Sequence, residues 1–131
     1  MERPGYVSLW LGNCSTYEEL DSYLSGNYTD DGDYIKSSFE KDFQINWFDE
    51  DFREAFCRDF TAHDFEQLLA GCSYAKSVIP GFDKHFQLGS IENFNAGLLL
   101  YDFMYSGQVR EITAKGIYLK YIGAVEYNED E

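Results

Sequence analysis

Between Gly5 and Gly12 the chain reads Tyr6, Val7, Ser8, Leu9, Trp10, Leu11, apolar on both faces rather than at every second position. A strand with one face in water alternates apolar and polar residues; a strand covered on both faces does not. The run therefore predicts a strand with packing on both of its sides. A second segment, Leu98 to Tyr105, is the strongest strand pattern in the chain, and Ser106-Gly107 after it reads as a tight turn into a returning strand at Val109 to Thr113. Lys115-Gly116 turns once more, and Ile117, Leu119, Tyr121, Val125 and Tyr127 alternate along a long final strand on one face.

Helix signals lie between these strands. Thr16 with Glu19 three residues on has the spacing of a capping box, with Tyr17, Leu20 and Leu24 at helical spacing behind it and Gly26 as the stop. Phe39 and Phe43, four apart, mark a short helix near Ser37 to Phe43. Asn27 to Asp33 reads as a polar loop, and Phe52, Glu54, Phe56, Arg58 and Phe60 share a face if that stretch is extended. Thr61 followed by Asp64 caps a further helix whose inner stripe is Phe65, Leu68 and Leu69, with Gly71 ending it; Ser73 to Asn95 fits neither period cleanly. Helices in the first half and a strand meander at the end give an α+β class: a single domain over residues 1–131, a predominantly antiparallel sheet with helices packed on one face.

The chain has 131 residues, and Leu, Ile, Val and Phe make up about a quarter of it, enough for a packed core without metal or disulfide. Its charge is unusual. Twenty-four acids against ten Lys and Arg give a net charge of −14. Binding to nucleic acid without sequence preference requires cations against phosphate, and docking on an anionic membrane requires basic residues. Both partners are disfavoured, and a basic protein partner is favoured. The three cysteines Cys14, Cys57 and Cys72 form no C-x-x-C pair and no disulfide framework, and no secretory signal is visible, so the chain reads as a reduced, cytoplasmic protein.

Between Tyr28 and Glu66 twelve acids face only Lys36, Lys41, Arg53 and Arg58. Tyr28, Tyr34, Trp47 and Phe48 are interleaved with them, and aromatic anchors ringed by charge are the usual make-up of an interface centre. The candidate partner-binding residues are Asp30, Asp31, Asp33, Tyr34, Trp47, Asp49, Glu50 and Asp51. Glu129, Asp130 and Glu131 read instead as a frayed tail. The same acids could equally be a solvated face that keeps the protein soluble.

Other chemistry finds little support. Aligning Gly32 of Asp30-Asp31-Gly32-Asp33 with the invariant glycine of a calcium loop puts Ser38 where the bidentate Glu belongs. Cys57, His63, Cys72 and His85 match no zinc spacing. No nucleophile motif, phosphate loop or dinucleotide fingerprint occurs, so neither a cofactor nor a metal nor catalysis is expected. Asp102, inside Leu100-Tyr101-Asp102-Phe103, is either on a partly wet face or buried with hydrogen-bond partners.

Val7-Ser8-Leu9-Trp10-Leu11-Gly12 resembles the tryptophan-containing first strand of the immunity protein 22 family. Gly32-Asp33-Tyr34-Ile35, Ser38-Phe39, Asp42-Phe43, Tyr101-Asp102-Phe103 and Leu119-Lys120-Tyr121-Ile122-Gly123 resemble it in the same order. The resemblance implies a small α+β protein that protects a bacterium by binding and blocking a cognate toxin of a polymorphic toxin system, with no catalytic residues to carry over. Trp10, in a doubly apolar run, reads as core rather than contact. The charge adds that the toxin would be basic, as nucleases are. The alternative is a small acidic enzyme or ligand-binding domain in which Asp102 and the aromatics line a pocket.

Overall fold

In the computed structural model, which describes residues 1–89 and 92–128, five antiparallel strands form the main sheet. They are β1 (Glu2–Asn13), β4 (Arg53–Ala62), β5 (Phe94–Phe103), β6 (Glu111–Ala114) and β7 (Ile117–Glu126), in the order β4-β5-β1-β7-β6. A separate two-stranded hairpin pairs β2 (Asn27–Tyr28) with β3 (Tyr34–Ile35). The helices are α1 (Tyr17–Leu24), α2 (Ser38–Asp42), α3 (Phe65–Leu68) and α4 (Ala75–His85). The α+β class with an antiparallel sheet is as the sequence implies.

The doubly apolar strand is central. β1 lies between β5 and β7, with Trp10 opposite Leu98 on one side and Tyr121 on the other. Trp10 packs with Leu98, Leu100 and Leu119 against Leu20, Leu24, Phe39 and Phe43 of the α1–α2 segment. Val7, Leu9 and Leu11 point the other way, with Leu99 and Tyr101, against Phe65, Leu68, Val78 and Phe82 of α3 and α4. The helices therefore cover both faces, not the one face expected from the sequence. The reason is in the strands themselves: β1 and β5 carry apolar side chains on both sides, and each side must be removed from water.

Local signals explain most element boundaries. Thr16 Oγ1 accepts a hydrogen bond from the Glu19 amide and starts α1. Ser37 and Glu40 complete a reciprocal capping box at α2. At α3 the cap is Asp64, whose carboxylate accepts from the Gln67 amide, rather than Thr61, and the helix is a single turn.

Three expectations are corrected. Val125 and Tyr127 pack on the α3–α4 face, opposite to Ile117, Leu119 and Tyr121. The register of β7 against β1 slips between Leu9↔Gly123 and Trp10↔Tyr121, so Ile122 is an extra residue; this bulge reverses the strand's phase. The second correction concerns β5, which pairs with β4 and β1 and not with the strand that follows it. Residues 104–110 form a seven-residue connection to β6, not a tight turn at Ser106-Gly107. Third, Asn27 to Asp33 is not wholly loop, since Asn27 and Tyr28 pair with Ile35 and Tyr34. Lys115 and Gly116 do form a turn, both at positive φ.

Candidate functional site

The acidic segment is arranged by three short pieces of chain. The β2–β3 hairpin carries Tyr28 and Tyr34, whose rings lie 5.4 Å apart. Tyr34 is held from below: its hydroxyl donates to the Glu40 carboxylate. Glu40 is fully buried and also accepts at Oε1 from the Ser37 amide and hydroxyl, each at 2.9 Å. Burial first, and then the bond to Glu40, pushes the Tyr34 phenol above its usual pKa. Gly26 leaves room for the same ring, since a Cβ there would lie 2.3 Å from the Tyr34 hydroxyl oxygen.

After α2 the chain descends through Phe43, Ile45 and Phe48, all buried, and leaves Trp47 outside. A 3₁₀ turn, Glu50–Phe52, follows; Asp49 opens it by accepting the Asp51 amide at 3.0 Å. Trp47, Asp49, Glu50, Asp51, Tyr28 and Tyr34 line one cleft of about 160 Å³. No Lys or Arg lines it. Arg53, next along the chain, is bonded to Asp21 of α1.

Five of the eight candidate residues, Tyr34, Trp47, Asp49, Glu50 and Asp51, thus meet at one place. Asp30, Asp31 and Asp33 are exposed on the hairpin loop and do not line the cleft. Gly32 there has φ +88°, and the Asp33 amide donates to Thr29 Oγ1, which explains the Asp-Asp-Gly-Asp string as turn chemistry. Glu129, Asp130 and Glu131 lie outside the described residues.

Two exposed aromatics at or beside this segment, Tyr28 and Phe52, were missing from the candidate set. Tyr28 is 70% exposed, Phe52 47% and Trp47 54%. Side chains of this size are rarely left so open, and together they make an exposed apolar ridge with acids at its rim. In the sequence Phe52 reads as part of an extended face shared with Glu54, Phe56, Arg58 and Phe60, whereas it ends the 3₁₀ turn before β4 and is exposed. Phe48, counted with the interleaved aromatics, belongs to the core at 3% exposure.

The sequence model of the family described as Immunity protein 22 matches residues 7–128. The chain belongs to the immunity protein 22 family. Membership supports an immunity function for this protein, of an inhibitory kind and directed at a toxin partner. The match begins within β1 and ends just past β7, so all of the immunity protein's main sheet except the start of β1 lies within it. No curated protein and no solved structure matches the chain. Among the described residues no helix is long and apolar enough to cross a membrane.

Three further features of this immunity protein are structural. Trp10 is completely buried, with the rings of Phe39, Phe43, Tyr105 and Tyr121 at 5.0–5.9 Å. Asp102 accepts the Gly5 amide at 2.9 Å and the Tyr127 hydroxyl at 2.7 Å. It ties the irregular start of β1 to the ends of β5 and β7. The thiols of Cys14 and Cys57 lie 3.0 Å apart, and burial pushes Cys14 up to about 12.

Proposed function

We propose that this immunity protein binds its cognate bacterial toxin through the acidic aromatic face and neutralises it by covering the toxin's active site or an adjoining exosite. The carrying observation is that exposed Trp47 and Tyr28 stand among Asp49, Glu50 and Asp51 in a cleft wall with no cation, with exposed Phe52 next after Asp51 in the chain. Aromatic anchors supply binding energy when desolvated, and the acids at the rim accelerate encounter with a basic partner. Asp30, Asp31 and Asp33, on the hairpin loop, extend the same negative field without entering the cleft.

The toxin is basic, and a nuclease, which needs cations to hold phosphate, fits that requirement. The immunity protein acts by occupancy, without metal, cofactor or catalysis, in the cytoplasm of the producing cell. It binds neither nucleic acid nor membrane itself; a net charge of −14 opposes both.

The test uses the toxin encoded beside the immunity gene. Association is followed by stopped flow for the wild type and for a variant with Asp30, Asp31, Asp33, Asp49, Glu50 and Asp51 changed to Asn or Gln. The variant should associate at least tenfold more slowly at low salt, and its rate should depend less on salt. Equal rates and equal salt dependence would place the interface elsewhere.

A further inference from the structure

Phe52 forms the border of a second cleft, of about 290 Å³, whose other walls come from β4, β5 and the segment before α4. Tyr74, Tyr101 and Tyr127 line it with centroids 5.2–5.7 Å from one another. Three carboxylates, Asp51, Glu54 and Asp102, line it as well.

The hydrogen bonds in this cleft leave its charge intact. Glu54 accepts from the Ser73 amide and hydroxyl, and the Tyr101 hydroxyl lies 2.8 Å from Glu54 Oε1. Asp102 accepts from the Gly5 amide and the Tyr127 hydroxyl. All of these donors are neutral. They fix the carboxylates in place and cancel none of their charge. Arg53 contributes to the wall, but its guanidinium is bonded to Asp21; Arg58 is turned to the carbonyls of Leu68 and Ala70. Tyr74 and Asp102 both hold positive φ, 58° and 55°, a conformation unfavourable for residues other than glycine.

We infer that this cleft is a socket for one arginine side chain of the toxin. The inference rests on the proposal that a basic toxin docks beside it, because Asp51 lines both clefts. Arginine suits the walls better than lysine. Its planar guanidinium stacks on tyrosine and phenylalanine faces and presents paired donors to fixed carboxylates, whereas an ammonium is a compact, strongly hydrated point charge. Desolvation beside aromatic faces strengthens the attraction of a cation.

The test needs no toxin. N-acetyl-arginine N-methylamide is titrated into the isotopically labelled full-length protein and followed by amide and aromatic NMR shifts. The citrulline analogue, matched in shape and uncharged, and the lysine analogue are titrated alongside. The expected result is saturable binding in the low millimolar range with shifts at Asp51, Phe52, Ser73, Tyr74 and Tyr127. Affinity should fall at least fivefold for citrulline and for lysine. Asp51→Asn, at an exposed position, and Tyr74→Leu should each weaken the arginine probe at least fivefold while the remaining spectrum stays that of the folded protein. Equal response to citrulline, equal affinity for lysine, or shifts undiminished in Asp51→Asn would overturn the assignment. Failure here leaves the stopped-flow test of toxin association untouched, so the two readings fall separately.

Discussion

The two tryptophans of this chain should fail in opposite ways when truncated. Trp10 is fully buried among four aromatic rings, and its indole Nε1 has no hydrogen-bond partner, so its contribution is packing alone. Trp10→Ala should cost about 3–5 kcal/mol. With an unfolding entropy of about 2.1 cal/mol/K per residue, a 131-residue chain should lose roughly 11–18 °C in Tm. A domain of this length has on the order of 7–20 kcal/mol in total, so the variant should still fold at room temperature if the wild type is well within that range. Trp47 is 54% exposed, and Trp47→Ala should move stability by no more than about 0.5 kcal/mol. It should instead weaken toxin binding by about 2 kcal/mol or more, a thirtyfold loss. Scanning calorimetry reads the first effect without relying on tryptophan fluorescence, and titration calorimetry with the toxin reads the second. A Trp10→Ala protein that melts within 3 °C of the wild type would refute the core assignment. A Trp47→Ala protein that binds normally would refute the anchor.

Three further outcomes follow from particular contacts. Gly123→Ala places a Cβ about 2.1 Å from the Phe86 ring, so it should cost about 1–3 kcal/mol in urea unfolding, and Phe86→Leu in the same chain should recover part of the loss. Ser37→Ala removes the α2 cap and one of the bonds to buried Glu40 and should cost about 2 kcal/mol; a shift in midpoint below a quarter of that would show the box to be dispensable. Burial, and then hydrogen bonds to Asp42 and Glu54, hold the Tyr23 and Tyr101 phenols above their usual range, and Tyr118 is pushed up to about 12. Their folded pKa values are raised, so the unfolded chain releases protons first; stability is fully present below pH 10 and is lost as pH rises above it. Part of the phenolate absorbance should therefore rise only together with loss of far-UV ellipticity, and complete titration of Tyr23 and Tyr101 in a still-folded protein would contradict their burial.

Sequence legibility tracked how local each determinant is. The cap at Thr16 and the Lys115-Gly116 turn are set by neighbours within four residues and could be read directly. The phase of β7 could not, because the bulge at Ile122 is visible only against β1. α4 was hidden for a different reason. It contains Pro80 and Gly81, and it begins at Tyr74 in the left-handed region with no side-chain cap, so every usual start signal is missing. Its helical state is maintained by Val78 and Phe82 packing under the sheet. The first cleft was partly legible because most of its residues lie between Tyr28 and Asp51. The second draws on Asp51, Tyr74, Asp102 and Tyr127, a set that only the sheet order brings together.

That sheet order also sets when this protein can become active. β1 leaves the ribosome first, yet its two partners are β5 and β7, the latter ending at Glu126. Until β7 is made, this central strand, apolar on both faces, has an open hydrogen-bonding edge. Synthesis at 5–20 residues per second keeps it in that state for on the order of 10 s. Non-local pairing of this kind also slows folding itself. A nascent chain interrupted before Val125 therefore lacks the strand that completes the sheet, and the folded domain exists only once synthesis has passed it.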